Sequence, residues 1–131
     1  MFQLDTDTCR QFLGGRNKVV ADRLRRLRPS EISLSSMAKA ELLSLARSEK
    51  HVEDRLEALR RFFEPLTILP FDDRCAEEYG QIRAQLDARG LDLAPGDLIT
   101  AATARAYNTV LVSSDAKRFN EVAGLRLVQW Q

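Results

Sequence analysis

The sequence predicts an α/β fold with a mainly parallel sheet, and three observations carry that prediction. Short apolar runs of strand length stand at residues 2–5, 32–35, 66–69, 109–112 and 125–129. Helical periodicity fills the stretches between the first four of them. The order strand, helix, strand is that of βαβ units, in which each helix carries the chain back so that successive strands run parallel.

The elements follow in order. Residues 2–5 open the chain as a strand. Residues 6–13 read as a helix that stops at Gly14-Gly15, because glycine accepts the backbone conformation that ends helices. Residues 19–27 place Val20, Leu24 and Leu27 on one face, and Pro29 ends that helix. Residues 32–35 give the second strand. Ser36 is the expected cap of a helix over 37–46. Val52, Leu56, Leu59 and Phe63 mark the next helix, stopped by Pro65. After the strand at 66–69, Asp72 or Asp73 caps a long helix carrying Cys75, Tyr79, Ile82 and Leu86 on one side and ending at Gly90. Pro95-Gly96-Asp97 opens a helix rich in small residues, Ala101-Ala102-Thr103-Ala104. The runs at 109–112 and 125–129 complete the sheet.

The 131 residues suit one domain, spanning residues 1–131. No apolar run approaches the ~20 residues of a membrane span. The amino terminus, Met1-Phe2-Gln3-Leu4-Asp5, lacks the basic region and longer apolar stretch of a signal peptide, so a cytoplasmic location with no membrane partner is expected. Cys9 and Cys75 have no Cys or His at metal-ligand spacing and read as small buried residues of a reducing compartment. The lone histidine, His51, lies in a polar stretch and reads as a solvated residue at a helix start. A net charge of +1 excludes a strongly basic nucleic-acid-binding chain. Positive charge is nevertheless concentrated in Arg16, Lys18, Arg23, Arg25, Arg26 and Arg28. This cluster reads either as a solvated helix face or, for Arg23, Arg25, Arg26 and Arg28, as a ridge that contacts RNA phosphates.

The chemistry lies in the acids. Asp5 and Asp115 stand at strand ends, where open parallel sheets bind their ligands. Glu41 and Asp97 stand near helix starts. If the strands carrying Asp5 and Asp115 are neighbours, the four carboxylates converge on one cleft. Close carboxylates repel unless a cation offsets their charge. A hard divalent ion such as Mg²⁺ does so through oxygen ligands, and it can activate water against a phosphodiester. No Gly-rich phosphate loop, Cys–His pair or Ser–His–Asp set competes, so metal-assisted phosphodiester hydrolysis is the natural reading. Each acid taken alone also has a structural reading: Asp97 as an N-cap, Glu41 as a solvated helix residue, Asp115 as a turn former. Their joint placement favours the site. Asp72 and Asp73 are assigned to capping. Asp7 and Ser114 are auxiliary candidates, Asp7 being open between a site residue and an acid that complements the helix dipole.

Read together, several segments resemble the PIN-domain toxins of the VapC family. They are Leu4-Asp5-Thr6-Asp7, Ser35-Ser36 leading to Ala40-Glu41-Leu42, Leu69-Pro70-Phe71-Asp72, Asp97 to Ala104, Leu111-Val112-Ser113-Ser114-Asp115 with Phe119, and the closing Val128-Gln129-Trp130. The resemblance implies a three-layer α/β/α fold with a mainly parallel five-stranded sheet. It implies an acidic site of Asp5, Glu41, Asp97 and Asp115 that holds Mg²⁺ or Mn²⁺ and cleaves structured RNA, transfer or ribosomal. It also implies a VapB-type antitoxin partner and a homodimer of the toxin. Two departures stand out: Asp7 replaces the Asn of many relatives, and Gly96 replaces an acid or Asn. The antitoxin is expected to send an Arg or Lys into the carboxylates and to lie along a groove near Phe12, Leu13 and Leu42.

Two other functions fit parts of the pattern. Asp5-Thr6-Asp7 matches the paired aspartates of haloacid-dehalogenase-like phosphatases, although Cys9 stands where Thr or Val is expected. Asp72-Asp73 suits a receiver-like phospho-signalling domain with Ser113 or Ser114 as its switch residue, although Lys117 follows the fourth strand too closely for the usual lysine.

Overall fold

All strands of the sheet run in one direction. In the computed structural model, which describes residues 1–130, they are β1 (Phe2–Leu4), β2 (Ile32–Ser35), β3 (Thr67–Leu69), β4 (Val110–Val112) and β5 (Leu127–Val128). Their spatial order is β3-β2-β1-β4-β5. The chain therefore builds outward from β1 on one side, then returns to build outward from β4 on the other. The reversal falls between β1 and β4, where Leu4 pairs with Val112. Such a reversal opens a crevice at the carboxyl ends of the two strands.

The helices are α1 (Thr6–Leu13), α2 (Lys18–Arg26), α3 (Ser36–Arg47), α4 (Val52–Phe63), α5 (Asp73–Ala88) and α6 (Pro95–Tyr107), with short 3-10 turns at Pro29–Glu31 and Ala116–Phe119. Because side chains alternate along a strand, consecutive residues serve opposite faces. Val112 joins Leu4, Leu34, Leu42, Leu56 and Trp130 in one core beneath α1 to α4. Leu111 joins Ile82, Leu98, Ala101 and Phe119 in a second core beneath α5 and α6. The small residues of α6 bring that helix close to the sheet. This is the expected three-layer α/β/α arrangement.

Helix starts account for most of the local detail. Asp5, Asn17, Ser35 and Asp72 each accept a backbone N–H from the first turn of the helix that follows. The cap of α3 is thus Ser35, not Ser36. The hydroxyl of Ser36 instead donates to the Leu69 carbonyl at 3.3 Å and ties α3 to the end of β3. His51, at φ 60°, stands immediately before α4 and is exposed, as expected of a solvated helix start. The last strand is shorter than its apolar run, Leu127–Val128 rather than 125–129. Cys9 and Cys75 are buried and free. Among the described residues, no helix is long and apolar enough to cross a membrane.

One polar residue breaks the apolar pattern of the central strand. Gln3 is fully buried. Its amide donates to the Thr100 carbonyl of α6 at 3.2 Å and accepts from the Thr109 hydroxyl at 2.9 Å. β1 is thereby pinned to the helix that carries Asp97.

Candidate active site

The crevice between β1 and β4 begins at Asp5. Its backbone N–H donates to the Val112 carbonyl at 3.0 Å, which extends the strand pairing by one residue. One side-chain oxygen, Oδ1, accepts the Thr8 N–H at 2.8 Å and caps α1. The other, Oδ2, is left to face the cleft. Asp5 is buried, with 4% of its side chain exposed. Asp7 follows in the first turn of α1 and is more open.

Asp97 lies in the first turn of α6 but does not cap it; the cap position belongs to Ala94, and no side chain bonds there. The capping explanation of Asp97 therefore lapses. Burial pushes the Asp97 carboxyl above its ordinary pKa, the nearby Arg118 guanidinium pulls it back, and the charges of Asp5, Asp7 and Asp115 push it up again. Glu41 reaches the same region from α3. Its Oε1 accepts the Thr6 hydroxyl at 3.1 Å, and a Cβ placed on Gly96 would stand 3.8 Å from it. Glu41 thus packs between the starts of α1 and α6. Asp115 follows β4 after two serines; its N–H donates to the Ser113 hydroxyl at 3.1 Å. Its carboxylate is exposed, and its charge acts on Asp97 and Arg118. Ser114 is half-buried directly before it.

The residue that gathers these acids is one that sequence reasoning missed. Arg118 comes from the 3-10 turn Ala116–Phe119. Its Nη2 lies 3.2 Å from both Asp5 Oδ2 and Asp7 Oδ2, and its Nη1 lies 3.5 Å from Asp97 Oδ2. The guanidinium carbon stands 5.2 Å from the Phe119 ring centre. Burial works against its charge, yet Asp97, Asp5, Asp7 and Asp115 together hold its pKa above the usual arginine value. The signal available in the sequence was the cationic pair Lys117-Arg118 directly behind a strand-end acid. A cation among the carboxylates was expected from a partner; this chain supplies one itself.

The basic cluster is not part of this cleft. Arg23, Arg25, Arg26 and Arg28 are exposed on and just after α2. Arg25 pairs with Asp22 at 3.4 Å and Arg28 with Glu31 at 3.0 Å. Arg28 immediately precedes the turn that feeds the start of β2, so it stands at the amino end of the sheet, opposite the carboxylates. The phospho-signalling reading also loses its acceptor: Asp72 caps α5 and accepts from Tyr107 at 3.1 Å and Arg74 at 3.3 Å.

The surface carries two concavities, of which one adjoins the site. A cavity of about 350 Å³ adjoins Asp97 and Arg118 and is lined also by Leu93, Lys117, Glu121 and Val122. A groove of about 480 Å³ lies between α1, α3 and α4, with Leu13, Leu42, Leu45 and Leu59 on its walls. Phe12, beside Leu13 on α1, packs against Phe62 with ring centres 5.8 Å apart.

The donor set suits a hard divalent cation, since the converging groups are carboxylate oxygens already organised around one positive charge. Among the described residues, no three acidic, His or Cys side chains stand as ready ligands around an open point. Arg118 spans the carboxylates where such a point would lie.

The comparisons with known proteins agree with this fold. The model of the PIN domain family matches residues 4–125. The chain is 30% identical to the tRNA(fMet)-specific endonuclease VapC of Salmonella typhimurium, across 98% of this chain and 97% of that relative. It is also 30% identical to Ribonuclease VapC2 of Rickettsia felis, across 99% and 98%. The crystal structure of DNA-bound VapBC from Salmonella typhimurium superposes with a TM-score of 0.93 at 29% identity, covering 99% of this chain and 98% of that one. VapBC2 from Rickettsia felis, bound to a DNA fragment from its promoter, gives 0.91 at 29% identity, with coverage of 99% and 98%. Dependence on a divalent metal is general among PIN-domain nucleases. The chain belongs to the PIN-domain family and, within it, to the VapC ribonucleases.

Proposed function

We propose that this chain is the endoribonuclease toxin of a VapBC-type pair, acting in the cytoplasm on structured RNA, with transfer RNA as the substrate class. The observation that carries this reading is the convergence of Asp5, Asp7 and Asp97 on one cationic centre at the carboxyl ends of β1 and β4. Glu41 and Asp115 stand beside them.

Asp5 and Asp97 are the principal ligands we assign to Mg²⁺ or Mn²⁺, with Glu41 and Asp115 completing the charge. The ion, when bound, supplies a Lewis acid for the phosphodiester and lowers the pKa of a water. The protein's own contribution is positioning. The N-cap bond from Thr8 fixes one oxygen of Asp5 and leaves the other for the cleft. The Thr6 hydroxyl holds Glu41, which with Asp115 orients the attacking water. Of the basic cluster, Arg23 and Arg26 keep the role of outer RNA contacts, because neither has an acidic partner among the ion pairs of the described residues.

The partner is a VapB-type antitoxin. Support comes from the VapBC assemblies that this chain resembles and from the apolar walls of the α1–α3–α4 groove, which suit one face of an ordering segment. The toxin itself is proposed to form a homodimer.

The test uses purified protein and labelled transfer RNA. Cleavage is expected with Mg²⁺ or Mn²⁺, stopping with EDTA and resuming when excess metal is restored. Undiminished cleavage in EDTA would rule out the metal mechanism.

A further inference from the structure

We propose that Arg118 is the resident counter-ion of the carboxylate cleft, which a divalent cation displaces and which then turns to the RNA phosphate. The inference rests on the metal-dependent reading above and adds to it a residue that exchanges partners.

Three carboxylates share this one guanidinium. Its Nη2 divides itself between Asp5 and Asp7, and its Nη1 reaches Asp97 at 3.5 Å. An arginine binds a carboxylate best through two parallel bonds to the same group. Here it makes three single contacts instead. Its Nε is buried and has no partner, and a buried donor left unpaired is costly. Arg118 thus neutralises the acids without satisfying its own hydrogen-bonding groups. The five acids Asp5, Asp7, Glu41, Asp97 and Asp115 outnumber Arg118 and Arg10, which also pairs with Asp7 at 3.8 Å, so the cleft keeps a negative excess that a divalent ion can exploit. The ion would draw on the same carboxylates, Asp5 and Asp97, that the guanidinium now holds, so the two compete for them.

The structure also offers the displaced group somewhere to go. Arg118 lines the adjoining cavity of about 350 Å³ together with Lys117. Its side chain is 31% exposed, so it can swing without opening the core. Its backbone is held by the 3-10 turn, whose Phe119 is buried. Lys117 is exposed and belongs to no ion pair among the described residues. Turned into the cavity, Arg118 joins Lys117 as a cationic pair beside the scissile position, and a phosphodiester is the anion that the substrate brings there.

The test begins without RNA. Mn²⁺ binding to the full chain is measured by calorimetry for wild type and for Arg118→Gln. The variant is expected to bind Mn²⁺ about tenfold more tightly, within the usual range of coupling between two competing occupants. Its thermal midpoint should fall in EDTA and rise more than that of wild type when Mn²⁺ is added. At saturating Mn²⁺ its KM for transfer RNA should rise while kcat changes less. Should Arg118→Gln fail to fold, wild-type protein labelled with ¹⁵N is titrated with Mg²⁺, and the Arg118 Nε–H resonance should move in step with binding. Unchanged or weaker Mn²⁺ affinity in a folded variant, an unchanged KM, or an Nε–H signal indifferent to Mg²⁺ overturns the proposal. Wild-type protein that binds no divalent ion withdraws the metal-dependent reading as well.

Discussion

Arg118 Nη2 stands 3.2 Å from Asp5 Oδ2 although 113 residues separate the two in the chain. The parallel pairing of β1 with β4 makes this possible. Both strands end at the same crevice, so the residues that follow each strand meet there. The ion pair joins the first acid of the site to a cation from the segment after β4.

Asp5 has two separable roles. Oδ1 caps α1 through Thr8, and Oδ2 faces the cleft. Asn keeps an oxygen for the cap and removes the charge. Asp5→Asn should therefore abolish RNA cleavage while changing stability by no more than about 1 kcal/mol, whereas Asp5→Ala loses the cap and should cost roughly 1 kcal/mol further. Cleavage assays paired with urea denaturation separate the two effects. Near-normal cleavage by Asp5→Asn would remove Asp5 from the chemistry.

Gln3 is the next test of how the site is held. Its amide bridges α6 and the Thr109 hydroxyl inside the sheet. Gln3→Leu fills similar space but strands the Thr109 hydroxyl, a loss of about 1–3 kcal/mol for an unsatisfied buried group. Activity should fall as well, because Thr100 lies three residues after Asp97 on α6. Wild-type stability in Gln3→Leu would show that the bridge is dispensable.

Acid stability should report on Asp72. The Cys75 N–H, and after it the side chains of Cys75, Tyr107 and Arg74, lower its pKa from 3.8 to about 2 despite an opposing effect of burial. A lowered folded-state pKa means that the stabilisation is complete above pH 3.8 and is lost as the pH falls through about 2. Carboxyl NMR should place the Asp72 midpoint near the lower value. In Asp72→Asn, which retains the cap but not the charge, the thermal midpoint should drop less steeply over that window.

RNA contacts should follow position rather than charge density. Lys117 lines the cavity beside the carboxylates, whereas Arg28 is paired with Glu31 at the far end of the sheet. Lys117→Gln should lower the slope of log K against log salt by roughly 0.7 to 0.9, the loss of one phosphate contact. Arg28→Gln should leave the slope where it was. The reverse result would place the phosphate contact at Arg28 and take Lys117 out of the RNA path.

Strands and helices were readable because each is specified locally: short apolar runs at Phe2–Leu4 and Val110–Val112, cap chemistry at Asp72, glycine and proline at the breaks. The four acids could be nominated because a parallel sheet puts chemistry at strand ends, so Asp5 and Asp115 stood out before any coordinates. The one-residue shift from Ser36 to Ser35 at the start of α3 shows the limit of that reading. Either hydroxyl can cap, and the choice depends on which serine the sheet holds in extended conformation.

The role of Arg118 was beyond local inference. Nothing in Ala116-Lys117-Arg118-Phe119 says which of two adjacent cations turns inward. That choice is made by Phe119, which buries itself in the α5–α6 core and swings Arg118 toward Asp5, Asp7 and Asp97. The same holds for the arginines of α2, whose charge the sequence displays but whose distance from the cleft only the strand order fixes. Elements and fold class were readable from residue order alone, because they follow from periodicity and short-range hydrogen bonding, and the acids could be nominated from their places at strand ends and helix starts. The tertiary structure decided which charges meet, because ion pairs between groups far apart in the chain depend on strand order and on which side chains the two cores take in.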